Sequence, residues 1–464
     1  MAHPLDELLD LAALDQAALL RRREISSEEL TGLYLDRIGA RNRELEAFVS
    51  VFDRRARAAA RRRDRALREG GGDLPAFHGV PIGIKDLNAV RGSFARLGSR
   101  AFRYLFAPID DPSVAQLRRG GFVILGKLAT SELGAMPVTE PDLHPPTRNP
   151  WDPSVSPGGS SGGSGAAVAA RLVPIAHGSD GAGSVRIPAA LCHLVGVKPS
   201  RGRLVNPIER GPRSMTTCGP LARTVRDAAA MLDVHAGVHG GRGGDAPLPD
   251  EPFAVLAERD PGRLRIRFTT RSPVVTSSPE VDAVVRDVAA TLAGLGHDVE
   301  EGPPPEGELV EFLPLWQRLI ASAPILRPSV LQPVTRWLHA AGKGLTSTDV
   351  DALQDRLAAR VLGWFGDADL WLTPTVALPP PQVGAFRDLP AEEAFRAAAP
   401  LGAFTAVFNV SGQPAVSVPG GFSAAGHPIG VQLAGRPLGE ATILAVARQL
   451  ERTRPWDLRR PPGF

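Results

Sequence analysis

Cysteine is nearly missing from this 464-residue chain, which has two, Cys192 and Cys218. Two thiols cannot staple a disulfide-rich secreted scaffold, and neither stands at metal-ligand spacing from a histidine pair. No metal site is therefore expected, and a reducing, cytoplasmic setting is. Charge of one sign is equally scarce. Against 53 Lys and Arg stand 50 Asp and Glu, a formal net charge of +3, which gives no ground for expecting nucleic acid as a partner. No apolar run reaches the roughly 20 residues that a membrane helix needs. The stretch Ala166 to Ala176 is too short and is broken by Arg171, so no membrane partner is expected. Met1 to Leu20 carries Asp6, Glu7, Asp10 and Asp15 without a basic start, unlike a secretory leader. With 43% apolar and 22% charged residues, the composition is globular, neither disordered nor collagen-like. No internal repeat is visible.

What the chain does have is an alternation of helical and strand-like segments. Residues 5–40 read as two amphipathic helices, the second opened by the capping signal Ser26-Ser27-Glu28-Glu29. Arg54, Arg57, Arg61, Arg65 and Arg68 fall at helical spacing and predict a solvated helix face rather than a nucleic-acid patch. Gly79 to Leu87 reads as a buried strand running into a loop, and Phe122 to Leu125 as a strand after a short helix. Leu264–Phe268, Glu280–Leu295 and His297–Glu300 form a strand–helix–strand unit. Residues 303–345 are less regular. They are assigned, with the loop Asn206 to Thr217, to variable substrate-facing structure, because Phe312 and Trp316 stand outside any clear core periodicity. Leu370–Thr375 reads as a strand, Val416–Val418 and Ile429–Leu433 as a terminal hairpin, and Ala441–Arg452 as the last helix. The alternation predicts an α/β protein with one large sheet.

Glycine and serine concentrate between Pro157 and Pro188, where two Gly-Ser clusters flank the apolar run Ala166 to Ala176. The expectation is a tight loop, Gly158 to Gly165, opening a buried helix, and a second loop, Gly178 to Ser184, that brings backbone N–H groups and a serine hydroxyl against a ligand. A flexible linker would carry no apolar run between its glycines. Three chemistries compete for the first cluster. A phosphate loop needs a lysine after its last glycine, and here Gly163 is followed by Ser164. Gly158-Gly159-Ser160-Ser161-Gly162 satisfies the nucleophile-elbow pattern G-x-S-x-G, with His235, His239, His297, His339 and His427 downstream. That assignment leaves the second loop without a task. The third uses Lys85, at the end of the apolar I-G-I-K-D: an amine held away from water loses basicity and can take a serine proton.

Gly79–Leu87, Gly126–Gly134, Pro157–Pro188 and the later Asn409-Val410-Ser411-Gly412-Gln413-Pro414-Ala415 together resemble the amidase signature family, from about Glu29 to Trp456. Within it the chain is similar to free-standing amidases such as aryl acylamidases, nylon-oligomer hydrolases and urethanases. The resemblance implies a single α/β domain over 1–464: a large mixed twisted sheet covered by helices, a helical segment over about 1–70, a signature core over about 75–230 and a variable region over about 303–345. It implies Lys85 as base, Ser160 as a bridging serine after a cis peptide bond, and Ser184 as nucleophile. Ser161, Asp180 and Arg186 would be supports, and the N–H groups of Gly181, Ala182, Gly183 and Ser184 the oxyanion hole. Phe312, Trp316 and Met136 are the expected pocket residues. No cofactor is implied; the partner is a small amide or carbamate, and a homodimer is left open. Arg186-Ile187-Pro188 departs from the R-Q-P typical of the corresponding subunits of tRNA-dependent amidotransferases, the alternative reading, and His193 stands where glycine is common.

Overall fold

The computed structural model describes residues 6–70, 73–205, 213–241, 243–457 and 459–464. Its centre is one sheet of 11 strands: β1 (Phe48–Val51), β2 (Pro81–Lys85), β3 (Val123–Leu128), β4 (Ile175–Asp180), β5 (Val195–Lys198), β6 (Thr217–Ala222), β7 (Arg265–Phe268), β8 (Asp298–Glu301), β9 (Leu370–Pro374), β10 (Ala415–Phe422) and β11 (Pro428–Gly435). Their order is β1-β3-β2-β4-β6-β5-β10-β11-β9-β7-β8. The sheet is mixed: β3, β2 and β4 run parallel, as do β9, β7 and β8, while β6, β5, β10 and β11 join these groups through antiparallel pairs. Helices flank it. Every residue of β2 and β3 is buried, as central strands covered on both faces require.

Local chemistry explains most boundaries. Ser26 caps the helix Ser27–Leu45 in a capping box with Glu29. The helix Asp53–Arg68 buries Ala56 and Ala60 and turns its arginines outward, Arg61 onto Glu28 and Arg57 onto Asp53. The hairpin β10–β11 and the helix Glu440–Thr453 form as expected.

Two expectations are revised. Gly178 to Asp180 are not loop but the end of β4, antiparallel to β6. Glycine at 178 reflects crowding, since a Cβ there would lie 2.7 Å from Leu221 Cδ1. Residues 303–345 are largely helical, in Leu309–Ala321 and Pro333–Gly342. Pro314 inside the first of these helices disguises the periodicity that buries Leu315, Trp316 and Ile320. These helices and Ser347–Phe365 make an apolar cluster of their own, with Ala135, Met215, Leu338, Val350, Leu357, Phe395 and Val410, beside the main core under the sheet. Among the described residues no helix is long and apolar enough to cross a membrane, and no cluster of three or more His, Cys, Asp or Glu is placed to hold a metal ion. Both cysteines are buried and free.

Lys127 on β3 and Asp86 after β2 form an ion pair of 2.6 Å with both side chains 1% exposed. Removing one member of such a pair strands the other charge away from water. Asp86→Ala should therefore lose about 3–5 kcal/mol of unfolding free energy in denaturant titration. The double replacement Asp86→Leu with Lys127→Met should recover most of that loss.

Candidate active site

Three segments converge at the carboxyl end of β2. Lys85 is the last residue of that strand, and its side chain has no solvent exposure. Its Nζ lies 2.7 Å from Ser160 Oγ and donates to Ser179 O at 3.0 Å. Burial pushes the Lys85 ammonium down to about 7, against the smaller opposing pull of Asp180 and Cys218. Asp86, next in sequence, turns to Lys127 and leaves Lys85 without a carboxylate, as alternation along a strand requires.

Ser160 sits in the loop before the helix Gly162–Ala169, and the Gly159–Ser160 peptide is cis. Thr139 braces this turn by donating to Gly158 O at 2.9 Å and accepting from Gly162 N at 3.0 Å. Ser161 ties the turn to β4 and to the second loop: its hydroxyl donates to Ser179 O at 3.2 Å, and its N–H donates to Ser184 O at 3.2 Å. Ser184 retains 7% exposure, against 1% for Ser160 and 0% for Lys85. Of the three, Ser184 is thus the one that a substrate can reach.

The loop Gly181–Val185 is held by one buried carboxylate. Asp180 accepts from Gly183 N at 2.7 Å, from Val185 N at 3.2 Å and from both Arg186 Nε and Nη2 at 2.9 Å. Burial opposes its ionisation, but the Arg186 guanidinium outweighs that cost and holds the carboxyl well below the usual range. Arg186, fully buried, donates also to Gln432 Oε1 and Asn409 Oδ1 at 2.6 Å and to Thr405 O at 3.0 Å. Asn409 Nδ2 returns to Asp180 Oδ1 at 3.0 Å. Thr405 Oγ1 donates to Ala182 O at 2.6 Å. Residue 183 must be glycine: its φ is +126°, and a Cβ would lie 2.1 Å from Thr405 Oγ1. The Gly183 N–H is thus already engaged inside the protein. Among the described residues the N–H groups of Gly181, Ala182 and Ser184 meet no protein acceptor.

The expected residues come together, with a few exceptions. Met136, Phe312 and Trp316 line one cavity with Ser184, and Thr216 and Thr217 line a second with Ser160 and Ser184. Asn206 to Pro212, within the expected loop, lie outside the described residues. His193 lines neither cavity; it packs on Trp151 and Phe422 with φ +61°, a left-handed conformation that explains glycine as the common alternative. Of the downstream histidines, His235 meets His177 edge-on, and His427 pairs with Asp152 beside a separate cavity with Leu191 and Val376. Among the described residues no histidine lines either cavity at Ser184, which leaves the elbow pattern without a base. Asn409 stands in one of the signature motifs without an assigned role, and Thr405 and Gln432 carry no sequence signal. All three act through contacts with residues more than 200 positions away.

Against known proteins, the family described as Amidase matches residues 29–444. The 6-aminohexanoate-cyclic-dimer hydrolase of Paenarthrobacter ureafaciens is 37% identical over 97% of this chain and 96% of its own. A solved structure of 6-aminohexanoate cyclic dimer hydrolase complexed with substrate superposes with a TM-score of 0.88 over 98% of this chain and 99% of that one, at 36% identity. A bacterial aryl acylamidase of the amidase signature family gives 0.85 at 25% identity over 96% of each chain. A glutamyl-tRNA(Gln) amidotransferase chain from Thermotoga maritima gives 0.77 at 25% identity, over 97% of this chain and 96% of that one. With the lysine, the cis-bonded serine and the braced serine loop in one place, and a family match over most of its length, the chain belongs to the amidase family and is an amide-hydrolysing enzyme.

Proposed function

We propose that this amidase cleaves small amides, and carbamates of the same shape, through an acyl-enzyme on Ser184. The observation that carries the proposal is the fully buried Lys85 amine at 2.7 Å from Ser160 Oγ with no carboxylate upon it. Ser184 Oγ attacks the carbonyl carbon while its proton passes to Ser160, whose own proton passes to Lys85. The carbonyl oxygen turns to the N–H groups of Gly181, Ala182 and Ser184, a donor set narrower by Gly183 than the resemblance implies. The C–N bond then breaks, the relay returns the proton to the departing nitrogen, and water releases the acyl group from Ser184. A carbamate cleaved at its C–N bond would leave a carbonic half-ester, and one cleaved at its C–O bond a carbamic acid, each of which loses carbon dioxide.

Free-standing action is favoured by Ile187, the residue that departs from the amidotransferase pattern. Its side chain is buried in an apolar cluster with Val138, Leu191, Val376 and Leu401 and lines the cavity at Ser184. The purified chain alone should hydrolyse an aryl amide. Ser184→Ala should abolish this activity and end labelling by a fluorophosphonate; labelling that persists and maps to Ser160 would overturn the assignment.

The pH profile gives a sharper test. The active base is the neutral amine, whose fraction grows as pH rises through the Lys85 value of about 7, so activity should climb along an acid limb centred there. Lys198, also fully buried, is pushed down to about 7 by burial and by Arg186, but it donates to Pro199 O and does not touch Ser160. The limb should therefore survive in Lys198→Met. Lys85→Ala should lose most amide turnover and less turnover of activated esters, whose leaving groups need no proton.

Thr405 and Asp180 grip the two ends of the Ala182–Gly183 peptide, and so set the direction of the neighbouring N–H groups. Thr405→Val leaves the Ala182 carbonyl without its donor. It should lower kcat about tenfold, the effect of roughly 1.4 kcal/mol, with KM little changed. Thr405→Ser should restore kcat, and steady-state kinetics on one amide decide the matter.

A further inference from the structure

Ser184 is shared by two cavities, and Trp316 and Gly134 line both. The first, about 140 Å³, is lined by Met136, Ile187, Phe312, Leu357, Phe395 and Val410. The second, about 350 Å³, is lined by Leu87, Leu97, Phe102, Leu133, Leu319 and Ile320. Trp316 contributes to both and is fixed in place by its Nε1 donating to Ala135 O at 3.1 Å. Charge is distributed unequally. The first cavity carries Glu306, Glu308, Glu311 and Arg360 in its lining, with Glu311 and Arg360 already paired at 2.8 Å. Among the described residues no Asp, Glu, Lys or Arg lines the second. Exposed apolar side chains also flank its lining in sequence. Leu105, in its lining, stands between Tyr104 and Phe106, which are 76% and 55% exposed, and Leu326, two residues beyond the lining Pro324, is 97% exposed.

The relay fixes which part of a substrate enters which cavity. The nitrogen that departs must take its proton from Ser160, and Ser160 lines the second cavity and not the first. From this, and resting on Ser184 as the nucleophile, we infer that the substrate is an N-substituted amide whose amine part is neutral and apolar, the acyl part lying beside Met136 and Phe312 and the amine part beside Leu319 and Phe102. A primary amide would leave the larger cavity unfilled. An amine part ending in an ammonium would place a charge in a cavity of Leu, Phe, Ser and Thr side chains with no carboxylate to meet it, a cost that offsets what the burial of its methylenes contributes.

The test uses three amides of one acid: N-methyl-, N-pentyl- and N-(5-aminopentyl)butanamide. Their leaving amines differ little in basicity at the scissile nitrogen, so differences in kcat/KM report the amine cavity. N-Pentyl should exceed N-methyl by about tenfold or more, in the range that apolar pockets give per added methylene group, and N-(5-aminopentyl) should fall back to the N-methyl level. Leu319→Glu, at a half-buried wall position, should reverse the order of the pentyl and aminopentyl amides. Fluorophosphonate labelling is mapped on both proteins in parallel. Label on Ser184 with a flat wild-type profile, or with the aminopentyl amide preferred by the wild type, overturns the two-cavity inference and leaves the nucleophile standing. Label elsewhere overturns the nucleophile and the inference together. If Leu319→Glu does not fold, the wild-type series decides alone.

Discussion

An amine kept from water and from carboxylates is the condition on which this site depends. Two carboxylates lie close enough to spoil it. Asp86 follows Lys85 in sequence, and Asp180 ends the strand beside it. Each has its own cation, Lys127 for Asp86 and Arg186 for Asp180. Burying those two ion pairs leaves a third cation, Lys85, without a counter-charge. In that setting burial, and not a neighbour's charge, governs the Lys85 proton.

The same pairing organises the backbone. Asp180 holds the serine loop from below, and Arg186 carries that restraint to Thr405, Asn409 and Gln432 in the last quarter of the chain. The C-terminal hairpin therefore does more than join the two parallel groups of the sheet, since Gln432 on β11 also donates to Thr373 Oγ1 on β9 and to Phe404 O. Strands far apart in sequence are stitched together beneath one peptide, Ala182–Gly183. Fixed dipoles of this kind stabilise a developing oxyanion without having to reorient.

Much of this is legible without coordinates, and the reasons are physical. Lys85 stands out because a charged residue at the end of an apolar strand is costly unless it works. The two Gly-Ser clusters stand out because close backbone approach needs glycine. The capping box at Ser26 and the arginine face of Asp53–Arg68 are local, and local rules suffice for them. Thr405 and Gln432 are invisible, since each makes ordinary contacts that only the closed fold brings together. The end of β4 is misleading because Gly178 and Ser179 have loop-like composition, although at Gly178 it is packing against Leu221 that demands the missing side chain. The helices after Pro303 are hidden because prolines at 314, 324, 328 and 333 punctuate a stretch whose regularity comes from tertiary burial. The wall that Leu87, Leu97, Phe102 and Leu105 give to the second cavity at Ser184 shows in the sequence only as the end of a strand.

The separate apolar cluster formed by the helices after Leu309 has a consequence for how this enzyme can change. Trp316, Ile320, Leu357 and Phe395 belong to that cluster, whereas Ile82, Ile84 and Val185, which pack around the lysine and serine loops, belong to the core under the sheet. Mutations that reshape the walls at these four residues weaken one cluster and leave the other intact. Descent and laboratory selection can therefore explore new ligands on a fixed reaction centre, drifting in specificity while the chemistry is inherited unaltered.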